Sequence, residues 1–442
     1  MKNKYTSLLI LTLAIFAINA KAQETVYPAG PQKGVSAITH ATVHVGNGTI
    51  LTDATIVFEK GKITAVGTGV SIPKGATEID ATGKQVYPGL ILPSSSLGLR
   101  EISSGVRGSN DYQEIGENNA DIRSIVSYNT DSKIINVLRA NGILLAHVSP
   151  SGELIEGRSS VVQLDAWNYE DAEYKANTGM YISMPSLMAR RGGRGGFMRG
   201  MMMGGGGDPL KAAFDKIETI KTYFTEAKAY CQEKVHANNN LKLEAARALF
   251  EGKQKLFVRA NEVKQMLLAI DLGKTFGFNI VIVGGGESFQ IAGLLADNKI
   301  PVILDETHAL PASEDDDVDQ PYKTPAQLQK AGVLFAMNDV SDNSKQRNLS
   351  FNAGTAATYG LTKEEALSSI TLNTAKILGI DNVTGSIEAG KDANIIISTG
   401  DILDMRGNQL TQIFIQGAQY LWTTNNYNFT NAININIALS KT

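Results

Sequence analysis

Between residues 142 and 378 the chain alternates short apolar runs with longer stretches of helical spacing, and this alternation decides the fold class. The run at 142–147 has the length of a strand. Asp208 then offers a helix N-cap with Pro209 at the first helical position. Leu210, Phe214, Ile217, Ile220 and Phe224 follow at helical spacing. A helix over 241–250 stops at Gly252. Next come a strand at 256–258 and a helix through Val263, Met266, Leu267 and Ile270. A strand at 279–283, a helix from about 287 and a strand at 301–304 continue the pattern. Thr324-Pro325 opens another helix, 333–337 is a strand, and Thr362 with Glu365 forms a capping box for a helix reaching about residue 378. Repeated βα units imply parallel strands with helices outside. Residues 91–384 therefore suit an α/β fold, a (β/α)8 barrel whose chemistry sits at the C-terminal strand ends.

The flanks read differently. Residues 35–90 and 385–422 hold short β-branched runs broken by turn signals, such as Asn47-Gly48 and Gln416-Gly417. Neither segment can close a core alone, so the two predict one composite β-sandwich built from both chain ends. With 442 residues, 43% of them hydrophobic, the chain can bury more than one domain's core. A formal net charge of -3 gives no reason to expect nucleic acid or an anionic membrane as partner.

Residues 1–22 read as a secretory signal peptide: Lys2 and Lys4, an apolar stretch from Leu8 to Ile18, and Ala20-Lys21-Ala22 as cleavage site. The expectation is an exported protein, periplasmic or secreted, with no membrane span after cleavage. Cys231 is the single cysteine and reads as a helix packing residue. The Gly/Arg/Met-rich segment 189–207 reads as a loop, with a lid over the barrel mouth as the alternative. Gly284-Gly285-Gly286 reads as a tight βα turn, and the acidic run at 314–319 as a solvated loop. Among the five histidines, His40 and His44 fall in the sandwich segment and His236 in a polar stretch, while His147 and His308 follow barrel strands.

Two separated motifs resemble amidohydrolases of the imidazolonepropionase-like group. The first is Ile79-Asp80-Ala81-Thr82-Gly83-Lys84-Gln85-Val86-Tyr87-Pro88-Gly89-Leu90-Ile91. The second runs from Gly360-Leu361-Thr362 through Thr371-Leu372-Asn373-Thr374-Ala375 to Gly385-Ser386-Ile387-Glu388-Ala389-Gly390-Lys391-Asp392-Ala393. The resemblance covers nearly the whole chain after residue 22. It implies a hydrolase acting on carbon–nitrogen bonds other than peptide bonds, with zinc or another divalent ion at the barrel mouth activating water. It also implies His-x-His after the first barrel strand, a carboxylated Lys or a Glu after the fourth, a His each after the fifth and sixth, and an Asp after the eighth.

Carried over residue by residue, those positions are Ser94, Ser96, Arg259, Gly284 and Asp339; the bridging Lys or Glu is left unassigned. A serine hydroxyl is a poor zinc ligand. A guanidinium about 4 Å from a divalent ion costs on the order of 8 kcal/mol at an effective dielectric of 20. No resident metal or other cofactor is therefore expected. Three readings follow: a family hydrolase, a metal-free variant with Asp339 as base and Arg259 as electrophile, or a non-catalytic member. The last would bind a small molecule or pair with an active relative or a second copy. His147, Asp305 and His308 form a candidate pocket group. Arg259 and Asp339 are expected to pair, with Ser94 or Ser96 donating to the same carboxylate.

Overall fold

In a computed structural model, the described residues are 28–101, 110–187, 208–233, 235–311, 315–340 and 343–420. Residues 1–22, expected as a signal peptide, and residues 189–207, expected as a loop, lie outside them.

Both chain ends enter one eight-stranded sheet. β1 (Val35–His44), β2 (Ile50–Glu59) and β3 (Lys62–Gly67) form an antiparallel meander. β4 (Thr77–Asp80) and β5 (Gln85–Pro88) pair with β1 in parallel. From the far end of the chain, β14 (Ile395–Ser398) pairs antiparallel with β5, followed by β15 (Leu410–Ile415) and β16 (Ala418–Tyr420). Phe58 from the N-terminal part meets Phe414 from the C-terminal part edge to face, at 5.3 Å between ring centres. They share one apolar cluster with Ile38, Ile56, Val86, Ile395 and Ile397. The two segments thus complete one core, as their short apolar runs require. The strands form one continuous paired sheet rather than two separately paired ones.

The second sheet holds β6 (Leu90–Ser95), β7 (Ile143–Val148), β8 (Ile155–Gln163), β9 (Glu173–Ser183), β10 (Lys255–Ala260), β11 (Ile280–Gly284), β12 (Val302–Leu304) and β13 (Phe335–Met337), in chain order. It is a nearly closed barrel. At the seam, the Ile91 amide donates to the Ile370 carbonyl, and the Asn338 amide group donates to the Ser94 carbonyl at 3.0 Å.

One strand departs from the expected parallel order. β8 runs antiparallel to both β7 and β9. Only residues 149–154 join β7 to β8, too few for the dozen or so that a parallel crossover needs. The helix expected to open at Thr324-Pro325 instead starts at Gln320 and runs to Ala331, with Pro321 in its first turn and Pro325 inside it. Pro209–Gln232 is one helix, capped by the Asp208 carboxylate on the Leu210 amide. Cys231 is half-buried on that helix, its thiol 4.0 Å from the Leu243 carbonyl. No described helix is long and apolar enough to cross a membrane.

Candidate functional site at the barrel mouth

Inside the barrel the side chains form a packed column. Tyr181 and Phe257 lie on adjacent strands in register and stack at 4.9 Å, 4° from parallel. The His147 ring tilts against Phe257 at 4.9 Å. Gly179 makes room for this: a Cβ there would sit 2.4 Å from the Phe257 ring and 2.5 Å from the Lys255 carbonyl oxygen. His147 has no exposed surface. Its Nδ1 lies 2.9 Å from the Pro93 carbonyl, which can only accept, so Nδ1 carries the proton. Nε2 then accepts, from the Ser159 and Thr178 hydroxyls at 2.8 and 2.6 Å. Burial pushes the His147 pKa down to about 3, consistent with this neutral tautomer. Burial likewise pushes the Tyr181 phenol up to about 12; its hydroxyl is within hydrogen-bond reach of Ser94 and Ser149.

Arg259 caps the column. It shares a strand face with Phe257, and its guanidinium lies 4.8 Å over the Tyr181 ring. Its Nε donates to Glu156 Oε1 and Oε2 at 3.1 and 2.9 Å. Glu156 is 1% exposed and also accepts from the Ser183 hydroxyl at 2.6 Å. Burial works against the Arg259 charge, but the Glu156 carboxylate outweighs it and holds the pKa above its ordinary value. Nη2 makes only two long contacts, 3.4 Å each, to Ser149 and the Pro150 carbonyl. Nη1 makes no hydrogen bond among the described residues, and the side chain keeps 31% of its surface exposed.

This corrects the expected Arg259–Asp339 pair. Asp339 follows β13, three strands from β10, while Glu156 lies on β8, two strands away, with Ser183 of β9 between them. Asp339 is buried, and the Asn352 side-chain amide donates to it at 3.2 Å. The serines do not bond to Asp339 either. Ser96 donates to the Asn343 side-chain oxygen at 3.1 Å, and Ser94 is buried beside Tyr181.

Gly284 does not present an open position at the mouth. A Cβ there would lie 2.3 Å from the Asn261 side-chain oxygen, so the residue is glycine for close packing. The neighbouring Val283 fills the barrel interior. With φ of 104° and 62°, Gly284 and Gly285 make the tight turn expected of the glycine run. The fourth barrel strand, whose end the resemblance reserves for a bridging Lys or Glu, closes on Ser183.

The proposed pocket group of His147, Asp305 and His308 does not converge. His147 is sealed within the barrel wall, and His308 is exposed, 2.7 Å from the Thr355 hydroxyl. Asp305 alone stands at the mouth, half-buried at the end of β12 within electrostatic range of Arg259. Burial, then the neighbouring Glu306, push its pKa up to about 6. Among the histidines of the flanking sheet, His40 is exposed and 2.9 Å from Asp53, while His44 is half-buried, 2.6 Å from Glu364. His236 stacks on Tyr230 at 3.7 Å rather than lying in open solvent. Among the described residues, no three His, Cys, Asp or Glu side chains are arranged to hold a metal ion.

Sequence reasoning missed Glu156, since residues 155–163 were not assigned to a strand. The usable signal was a lone acid between Ile155 and Gly157 within an apolar and serine-rich run.

A profile of the amidohydrolase family matches residues 306–425. The chain is 23% identical to an imidazolonepropionase of Deinococcus radiodurans over 425 residues, covering 88% of this chain and 96% of that one. It is 24% identical to an imidazolonepropionase of Thermoplasma volcanium, covering 78% of this chain and 83% of the relative. The chain belongs to the amidohydrolase superfamily, in its imidazolonepropionase-like group. A solved amidohydrolase from Thermotoga maritima is similar to this superfamily member at 25% identity, with a TM-score of 0.74 over 88% of this chain and all of that one. Within the superfamily frame, the end of the fifth barrel strand here carries an arginine held by a buried glutamate.

Proposed function

We propose that this amidohydrolase-family chain acts on carbon–nitrogen bonds of small non-peptide amides at the barrel mouth, without the metal centre its family resemblance implies. One observation carries the reading: the Arg259–Glu156 ion pair caps the barrel column at a strand end where the family would place a metal ligand. The donors present do not fit a divalent ion. Two serines, a guanidinium and a glycine stand at four ligand positions, and a nearby fixed cation opposes a metal. The chemistry must then come from hydrogen-bond donors and a carboxylate. Arg259 Nη1 points an unpaired donor at a carbonyl oxygen, where negative charge develops during attack. Asp305 supplies a carboxylate that takes the proton of the attacking water and returns it to the leaving nitrogen as the carbon–nitrogen bond breaks. It replaces Asp339 in that role, because Asp339 is buried against Asn352.

The relatives' imidazolonepropionase activity makes cyclic amides the first substrates to test. Purified protein should be incubated with cyclic amides and N-acyl amines, with and without a chelator. The expected result is hydrolysis indifferent to chelation and lost in Arg259→Lys. Chelator-sensitive hydrolysis would overturn the metal-free reading. No hydrolysis of any amide would leave a small-molecule binder of the same mouth. Export also belongs to the proposal: the mature chain should begin near Gln23, as N-terminal sequencing of secreted or periplasmic protein would test.

A further inference from the structure

His44 ties the flanking sheet to the barrel by a contact that needs a proton. It ends β1, and its ring stacks on Tyr87 of β5 at 4.5 Å, 12° from parallel. Its Nδ1 lies 2.6 Å from Glu364 Oε1, in the first turn of the barrel helix Lys363–Ser369. Its Nε2 lies 2.9 Å from Gln85 Oε1 on β5. Both facing atoms are oxygens that only accept. Both ring nitrogens therefore donate, and a ring that donates from both is the imidazolium cation. The His44 and Glu364 side chains keep only 15% and 14% of their surface exposed.

Among the described residues no other cation serves that carboxylate. Lys363 pairs with Asp401 at 2.6 Å, and Glu365 is taken up by Thr362 and Gln329. The other ionisable groups facing the His44 ring are Tyr87 and Asp401, and neither supplies positive charge. Glu364 Oε2 is buried without a hydrogen-bond partner, so His44 alone answers the Glu364 charge. Loss of the proton turns one ring nitrogen into an acceptor facing an oxygen. If Nδ1 keeps its hydrogen, Nε2 sets a lone pair against the Gln85 oxygen. A half-turn of the Gln85 amide repairs that side. It does not return the countercharge that a carboxylate this well covered needs.

The place of the contact gives it a consequence. The helix Lys363–Ser369 leads into Ile370, whose carbonyl accepts the Ile91 amide at 3.0 Å across the barrel seam. We infer that the His44–Glu364 contact is a proton-dependent clamp between the flanking sheet and the helix at the barrel seam, closed when the ring is protonated and loosened when it is not. Burial works against the ring's charge, but Glu364, Gln85 and Asp401 outweigh it and hold the pKa above the ordinary 6.5. The clamp's contribution is therefore full below pH 6.5 and is lost as pH rises through the higher folded value.

The test follows the histidine ring signals of the full mature chain by NMR, with selectively labelled histidine, across the neutral range. His44 should titrate above 6.5. Glu364→Gln should lower that midpoint, because burial then prevails, and should leave His40, paired with Asp53 in the same sheet, where it was. Hydrogen exchange, corrected for its intrinsic pH dependence, reads the clamp itself. Protection of the helix Lys363–Ser369 should fall by roughly tenfold as His44 loses its proton, the size of one charge-assisted contact. His44→Gln should remove that step. A His44 midpoint at or below 6.5, a midpoint unmoved by Glu364→Gln, or helix protection that is flat across the titration would each overturn the inference. So would the same step in His44→Gln. The wild-type titration and exchange decide the matter alone if a variant fails to fold.

Discussion

The interior of the barrel and its mouth are built from the same strands, yet they follow opposite rules. In the interior, Phe257, Tyr181 and His147 fill the available space, and both His147 nitrogens have partners. Two residues further along the same strand as Phe257, the pattern changes: among the described residues Arg259 keeps one donor open, Asp305 has no ion-pair partner and the Asn338 oxygen is unpaired. The difference separates strand bodies, committed to packing, from strand ends, where polar groups are left unpaired and ligand chemistry can be placed.

The largest effect should come from the interior. Phe257→Ala removes a fully buried ring from the column and should destabilise by about 3–5 kcal/mol, read by urea unfolding. A loss under about 1 kcal/mol would mean that the column does not hold the barrel. Next comes the cap. Glu156→Ala leaves the Arg259 cation without its partner; because Arg259 is nearly a third exposed, the cost should be about 2–3 kcal/mol, below that of a fully buried pair. Adding Arg259→Ala should recover part of it, since the two act as a unit. A double variant as damaged as the sum of both single ones would break the pairing.

His147 gives a pH signature for the interior. Its folded pKa lies near 3 against an ordinary 6.5, so the unfolded chain binds the proton more readily between those values. The stability contributed by neutral His147 is full above pH 6.5 and falls as pH drops toward 3, at no more than about 1.4 kcal/mol per pH unit. His147→Gln should flatten that part of the profile. An unchanged slope would place the acid sensitivity elsewhere. The smallest effect belongs to the mouth: burial raises the Asp305 pKa, so its carboxylate costs stability at neutral pH, and Asp305→Asn should leave stability unchanged or raise it by about 1 kcal/mol. A loss of about 2 kcal/mol would make Asp305 a structural group.

The strand–helix alternation made the barrel's order readable from the sequence, and the two motifs made the superfamily readable. Where β8 runs was not readable, because the direction of a strand follows from the length of its connections, and the serine-rich run at 155–163 carries no clean strand signal to mark where a connection ends. Arg259 stood out as a departure from the expected ligands. Its partner did not, since only the folded barrel brings residue 156 next to residue 259. Gly284 stands at a ligand position of the family resemblance, but the close approach of Asn261 shows why glycine stands there. His147 and His308 both follow strands in the chain, and sequence alone could not tell a residue inside the barrel wall from one on the surface.

The central claim is that the Arg259–Glu156 pair stands at the mouth in place of the metal. Metal content of the purified mature protein, measured together with its melting temperature before and after chelation, tests it most directly. The account predicts well under about one equivalent of zinc and an unchanged melting temperature, because no metal-binding energy is linked to folding. A full equivalent of tightly held zinc, with a melting temperature that falls on chelation, would contradict it.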